Sequence, residues 1–461
     1  MNELSYSKNT LFLIFAGGFS QIFGAVIRVF LSHRLKAEGM ALYQVSLCIY
    51  SVFLTPVLFG MPVALTQFIS KHRGSERNSD ISGGTVFSFK IMCGLGILSG
   101  FLMFLSRRFL AISLKEPSAE YAILALSPSV FFVALGAFAK SCFEGHSNML
   151  PCAVSQTAES ILKLLFAYLF ICIFGIFSLK YAVMGATLAI TVGEAFATLI
   201  LFLFMPPLLK NVKLFSKSKI HSEIIAYAIP VTAYAVILSS LNLLENSVIR
   251  NSLLAVRFNH SQAQRLLLSY PSFISSFESV KTCGKLSARG ANALYGAYFG
   301  YALTVIRFPI GLLRTFCVPF FPLASRCFAE KNIKKLKSSV SRLIMTMLLI
   351  SVPIAFLIII LSPQITKTIF GSAEYANMLI FVTPLLIILP LTDLFSTLWY
   401  ASGKTFPPFI FSVIASILSV FLSALLIRIP CLNILGVAVS TVISSAFELF
   451  LFFCFTNRYI K

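Results

Sequence analysis

Residues 185–204, GATLAITVGEAFATLILFLF, and residues 436–455, GVAVSTVISSAFELFLFFCF, are two versions of one apolar segment. Aligned without gaps at an offset of 251, they share the opening glycine, a central Ala-Phe and two later phenylalanines. A second pair, SCFEGHSNMLPCAVSQTAESIL from Ser141 and TLWYASGKTFPPFIFSVIASIL from Thr397, carries a Gly-containing polar turn and then a proline that opens the next segment, at an offset of 256 to 258. Two matches in the same order at nearly one spacing mark an internal duplication. Each copy of the first pair is about 20 apolar residues long, enough to cross a hydrocarbon core of ~30 Å as a helix.

Working outward, apolar runs broken by charge or Gly/Pro clusters predict helices over 11–31, 41–69, 85–105, 120–140, 152–175, 182–205, 223–245, 293–322, 342–362, 376–402, 408–428 and 434–455. The composition agrees: 58% hydrophobic residues, 11% charged residues and a mean hydropathy of +0.90 exclude a soluble globule, a disordered chain and a secreted enzyme. The expected fold is an all-α polytopic membrane protein of about 12 transmembrane helices in two pseudo-symmetric six-helix bundles. Because six is even, both bundles enter the membrane in the same sense and the pseudo-two-fold axis runs along the membrane normal. The expected division is an N-terminal lobe 1–205, a basic cytosolic linker 206–222 with Pro206, Pro207 and four lysines, and a C-terminal lobe 223–461.

The net charge is +21, from 37 Lys and Arg against 16 Asp and Glu. In a membrane chain this points to cytosolic loops and anionic lipid, and no nucleic-acid partner is expected. With both ends inside, the internal segments hold 18 Lys/Arg and the short external loops 8, so both termini are predicted cytosolic. The Ser-rich stretch 246–292 falls outside on this count and reads as an external loop. Leu11 to Leu31 lacks a small-residue cleavage site and reads as a permanent span, not a leader.

The ten cysteines are scattered through apolar runs and the five histidines fall in loops or helix ends, so no metal site is expected. No G-x-x-x-x-G-K-[ST] loop occurs, no catalytic residue stands out and no enzymatic activity is expected. No cofactor is expected either; energy would come from an H⁺ or Na⁺ gradient, the membrane potential or the substrate's own gradient.

An ionisable side chain in hydrocarbon costs ~2.5 to 3.5 kcal/mol on insertion scales, so each is a candidate for the pathway or for pairing. Arg307 and Arg314 stand seven apart on the eighth helix and share a face. A planar guanidinium fits phosphate oxygens bidentately, as an anionic pyrophosphate headgroup would require; an ion pair with Asp393 or Glu194 is the alternative. Arg28, on the first helix, is open to snorkelling. Glu159 and Lys163 form an i,i+4 pair in the favourable order, so self-neutralisation competes with a place on the cavity wall. Glu194 and Glu448 occupy the sixth helix of each half and read either as proton or cation sites or as counter-ions to the arginines. Asp393 follows Pro384 and Pro390, where a kinked helix frees carbonyls. Lys90 completes this set.

Residues 37–74, AEGMALYQVSLCIYSVFLTPVLFGMPVALTQFISKHRG, resemble the second helix of the stage V sporulation protein B and polysaccharide-exporter branch of the MOP superfamily, on Gly39, Leu42, Tyr43, Gln44, Tyr50, Gly60 and Pro62. The stretch from Ser141 resembles the start of its fifth helix, and ALYGAYFGYALTVIRFPIGLLRTFCVPFFPLASRCFAE its eighth. The resemblance implies a two-lobed, V-shaped, MATE-like flippase of the cell membrane. Its cargo would be an undecaprenyl-linked glycan precursor, lipid II or a polysaccharide unit, moved from the cytosolic to the outer leaflet in peptidoglycan, cell-wall or spore assembly. Arg28 falls where related lipid II flippases place a first-helix cavity arginine; Gln21 and Thr304 stand where they have others. Many relatives in this branch have fourteen helices against twelve here.

The implied mechanism is alternating access, with Arg28, Arg307 and Arg314 on the phosphates and Glu159, Lys163, Glu194, Asp393 and Glu448 lining the cavity or coupling it to an ion. A monomer with membrane lipids and the glycan lipid as partners is expected. Two other readings stay open: an ion-coupled drug antiporter of the same superfamily, which should carry an acidic residue within 11–31, where there is none, and a non-transport scaffold for wall or spore assembly.

Overall fold

In hydrocarbon each backbone N–H and C=O must be satisfied inside its own segment, and a helix does so without neighbours. The computed structural model describes residues 3–72, 78–146, 148–205, 218–271, 273, 277, 280, 284–404 and 406–459; they are mostly helical, with short turns between helices and one isolated bridge between Arg257 and Lys285. The helices are α1 (Glu3–Leu58), α2 (Met61–His72), α3 (Asn78–Ser113), α4 (Glu120–Gly145), α5 (Leu150–Phe174), α6 (Leu179–Leu203), α7 (Ser218–Ala255), α8 (His260–Ser269) and α9 (Ala288–Ala297). A π-helical turn, Tyr298–Ala302, leads into α10 (Leu303–Arg314). There follow α11 (Cys317–Ala329), α12 (Ile333–Phe370), α13 (Ala376–Val382), α14 (Leu385–Ala401), α15 (Phe406–Leu426) and α16 (Leu435–Tyr459).

Among the described residues eleven helical stretches are long and apolar enough to cross a membrane. The first of them, Gly17–Lys71, has 55 residues, roughly 80 Å by helical rise against a core of ~30 Å. It takes in the predicted span 41–69 and residues 17–31 of the predicted span 11–31, and between them Lys36 breaks the helix with φ 54° and ψ −173°. The chain turns again at Gly60, φ +87°. A side chain there would be strained, and its Cβ would collide with the Thr232 hydroxyl and lie 2.6 Å from the Ala228 carbonyl oxygen.

The chain divides into two compact units, one of residues 1–27 and 45–240, the other of 28–44 and 241–461. The sequence reading places the boundary at 206–222 instead. Of that connector, residues 206–217 lie outside the described set, and α7 belongs to the first unit up to Ser240. Part of the predicted loop 246–292 is helical: α7 runs on to Ala255, and α8 follows with an Asn259/Gln262 capping box.

In the first unit α6 packs on α4 and α5; in the second, α16 packs on α14 and α15. These are the duplicated segments, with the same pairing in each copy. Packing in lipid rests on close contact and interhelical hydrogen bonds, and Ser/Thr hydroxyls supply the bonds. Thr191 donates to the Ala125 carbonyl (2.6 Å), Thr198 to Phe132 (2.8 Å) and Ser155 to Ala197 (2.9 Å). In the second unit Ser423 and Ser440 bond at 2.6 Å and Trp399 Nε1 donates to Thr456 at 2.9 Å. The outward faces are bare hydrocarbon: Ile97, Phe101 and Leu105 on α3, and Leu349, Val352 and Phe356 on α12, are all exposed.

Candidate functional site

The first unit gathers its charges at one place. On α5, Glu159 and Lys163 are one turn apart and their side chains meet at 2.7 Å. Lys163 Nζ also reaches Glu194 Oε1 on α6 at 2.6 Å, so one ammonium bridges two carboxylates. Lys140, on α4, approaches the far oxygen of Glu159 at 3.8 Å. Two lysines and two glutamates sum to zero charge, which lets them lie among apolar helices. Lys163 and the two glutamates are only 21%, 17% and 17% exposed. The lysine reaches α6 because Gly193 leaves room: a Cβ there would stand 2.5 Å from Lys163 Cγ. Beside the cluster Ser160 bonds Ser20 of α1 at 2.7 Å.

The second unit holds the arginines. Arg307 and Arg314 share α10, both exposed, with Arg314 in its last turn. Arg314 Nε donates to Asp393 Oδ2 of α14, a pair with side chains 54% and 34% exposed. Arg28 is half-buried on α1, at the start of the segment 28–44 that belongs to this unit. Glu448 accepts from Ser412 at 2.6 Å, across α15 and α16. Thus Glu194 is tied to Lys163, whereas Glu448, three positions beyond its aligned place in the repeat, is tied to a hydroxyl. Lys90 is exposed on α3.

Three groups in this unit escape the sequence reading. Glu245 accepts from Ser419 at 2.5 Å. Arg250 is buried, donates to Asn292 Oδ1 at 2.8 Å and stacks over the Tyr295 ring with its guanidinium carbon 5.7 Å from the centroid. Tyr295 in turn donates to Asn246. The spacing of Asn242, Glu245, Asn246 and Arg250 places them on adjacent turns of one helix, a signal that reading 246–292 as a loop discards. In the first unit Lys140, the last residue of the predicted helix 120–140, is the fourth charge of the cluster. Outside the spans, burial and the neighbouring Glu374 carboxylate raise the Tyr270 phenol above its ordinary value, so Tyr270 packs as a neutral aromatic against Phe273.

Known proteins resemble the chain over its whole length. The polysaccharide biosynthesis protein family matches residues 6–257, and the lipid II flippase MurJ family matches residues 287–461. Stage V sporulation protein B of Bacillus subtilis (strain 168) is 22% identical over 453 residues, covering 96% of this chain and 82% of that protein. Lipid II flippase MurJ of the same organism is 21% identical over 456 residues, covering 93% and 77%. Among solved structures, an inward-facing multidrug resistance MATE family transporter of the MOP superfamily superimposes with a TM-score of 0.74 at 14% identity, covering 96% of this chain and 94% of its own. A MOP superfamily transporter from Pyrococcus furiosus gives 0.70 at 14%, covering 99% and 96%. The fold is therefore that of the MATE-like transporters, a polytopic all-α membrane protein. The matched stretch exceeds half of the sequence, and the chain belongs to the polysaccharide biosynthesis protein family.

Proposed function

We propose that this protein is a flippase that carries a polyprenyl-pyrophosphate-linked glycan precursor from the cytosolic to the outer leaflet by alternating access, with both termini in the cytosol. Arg28 and Arg307 bind the phosphates, and Arg314 joins them when it leaves Asp393. Glu159, Lys163 and Glu194, neutral together with Lys140, form a cluster that stiffens the first unit and, with Glu448, offers carboxylates to a coupling H⁺ or Na⁺.

The observation that carries this reading is the grouping of all three arginines in one compact unit. Their supports also touch. A Cβ at Gly296 would collide with the Ala37 carbonyl oxygen and lie 3.0 Å from the Ala41 nitrogen, and one at Gly300 would lie 2.8 Å from Met40 Cβ. Successive spans alternate in direction, so the first and the eighth run antiparallel. Arg28 precedes this contact by nine residues and Arg307 follows it by eleven. Two guanidiniums suit the two phosphates of a diphosphate. Kinship to the stage V sporulation and lipid II proteins supports a lipid-linked cargo. The absence of an acidic residue in 11–31 weighs against cation antiport.

The test is complementation of a flippase-depleted cell by Arg28→Ala, Arg307→Ala and Arg314→Ala, with the polyprenyl-linked lipids of each leaflet measured. Arg28→Ala and Arg307→Ala should fail to grow and should hold precursor in the cytosolic leaflet. Normal growth of all three variants refutes the phosphate clamp and favours a scaffold.

A further inference from the structure

The helix α12 is longer than a bilayer requires. Its 38 residues rise about 57 Å, against a hydrocarbon core of ~30 Å. Residues 343–362, LIMTMLLISVPIAFLIIILS, carry no charge and are long enough for that core, so residues 333–342 of the helix stand beyond it. That overhang holds Lys334, Lys335, Lys337 and Arg342 and no acid, and all four side chains are exposed. Among the described residues no carboxylate pairs with any of them.

The turn that starts the helix is fixed, and with it the direction in which these cations point. Lys331 takes a left-handed backbone at φ 52°, the Asn332 amide donates to the Cys327 carbonyl at 3.0 Å, and the Asn332 side chain accepts from the Lys335 amide at 3.1 Å. Leu336 and Met347 lie in a core shared with Cys327 of α11 and Phe395 of α14, and Val340 and Leu343 pack against it. The opposite face of α12 reads Lys334, Lys335, Ser338 and Arg342, at i, i+1, i+4 and i+8. It continues as Met345, Leu349, Val352 and Phe356, at i+11, i+15, i+18 and i+22, all exposed. One outward stripe thus passes from ammonium, hydroxyl and guanidinium groups to bare hydrocarbon within a single turn.

That sequence of chemistry is the complement of a lipid with a negative headgroup. An acidic protein would match the charges but not the apolar continuation, and a zwitterionic headgroup would bring its own cation against the lysines. We propose that this face of α12 binds an anionic phospholipid, its phosphate among Lys334, Lys335 and Arg342 and its acyl chain along Met345 and Leu349. The assignment of that lipid to the cytosolic leaflet rests on the orientation proposed above; the binding and its test do not.

The full chain is reconstituted in vesicles that contain brominated phosphatidylglycerol or brominated phosphatidylcholine. Trp399, the single tryptophan of the chain, is buried, so the added fluorescence of a Met345→Trp variant reports the lipid at this face through bromine quenching. Phosphatidylglycerol should associate there at least fivefold more strongly than phosphatidylcholine, the contribution of about one basic side chain at an anionic surface. Changing Lys334, Lys335, Lys337 and Arg342 together to Gln should bring the ratio to within twofold of unity. Ser338→Lys, in the middle of the stripe, should raise it about fivefold. An Ile417→Trp reporter, exposed on α15 where the helix has no charged residue, should show no preference beyond twofold. Equal quenching by both lipids at Met345→Trp overturns the proposal, as does a preference that survives the four Gln substitutions or is unmoved by Ser338→Lys. Polyglutamate binding to the wild type in phosphatidylcholine vesicles, with no lipid preference at Met345→Trp, overturns it in favour of an acidic protein.

Discussion

Replacing Lys163 with methionine removes the one cation that holds two carboxylates, and the structure sets the size of the effect. Lys163 is 2.7 Å from Glu159 and 2.6 Å from Glu194, and all three side chains are four-fifths buried. Methionine keeps the stem's volume, so the change is electrostatic. Breaking a buried pair by deleting one partner costs about 3 to 5 kcal/mol, because the remaining charge stays desolvated. Here two charges remain, and Lys140 at 3.8 Å answers only Glu159. With about 2 to 4 °C per kcal/mol for a unit of this size, the melting midpoint should drop roughly 10 °C. The assay is thermal unfolding of the purified protein in one fixed detergent, with Arg107→Met as comparator. Arg107 pairs with Glu120 at 3.3 Å, but both are about 30% exposed, so its loss should cost under ~1 kcal/mol. The double variant Lys163→Met/Glu194→Gln leaves Lys140 and Glu159 balanced and should recover more than half of the drop. A Lys163→Met protein melting within about 3 °C of the wild type refutes the reasoning, as does a double variant less stable than either single one.

Two further outcomes follow from packing and from hydroxyl donors. Gly193→Ala presses a methyl against the Lys163 stem and should destabilise by about 1 to 3 kcal/mol, whereas Gly94→Ala on α3, where a Cβ meets nothing within 4 Å, should stabilise by about 0.5 to 1; denaturant or thermal curves compare them directly. Ser419→Ala takes from Glu245 its 2.5 Å donor and should cost roughly 1 to 3 kcal/mol by the same curves, with Ser419→Thr restoring most of it; equal stability of the alanine and threonine variants would show that the bond contributes nothing.

The pairing of Glu159 with Lys163 is visible in the sequence because both stand on one helix at a spacing that the helical period converts to a neighbour. Arg307 and Arg314 sharing a face is visible for the same reason, and the structure keeps both on the unbroken helix α10. What linear spacing cannot show is a partner on another helix. Glu194 reaches Lys163 from α6, and Asp393 reaches Arg314 from α14. The sequence reading names both acids but leaves their partners open. Arg250 is missed for a different reason: polar residues lower the hydropathy of the last turns of α7, and a window that seeks hydrocarbon ends the helix at Glu245, although Arg250 donates to Asn292 from within the continued helix.

Composition and apolar run length by themselves determine that this chain lives in the membrane as helices, because lipid offers no alternative partner to the backbone and the bilayer's thickness sets the segment length. The duplication is likewise written in the residues, as two sixth helices that start on glycine and share Ala-Phe. Only the tertiary structure decides which charges neutralise each other, and that the segment from Arg28 to Gln44, following on from the first unit's chain, is packed with the second. Those outcomes depend on a left-handed backbone at Lys36 and on glycines that let helices approach, at contacts from 30 positions apart (Gly193 and Lys163) to 259 (Gly296 and Ala37).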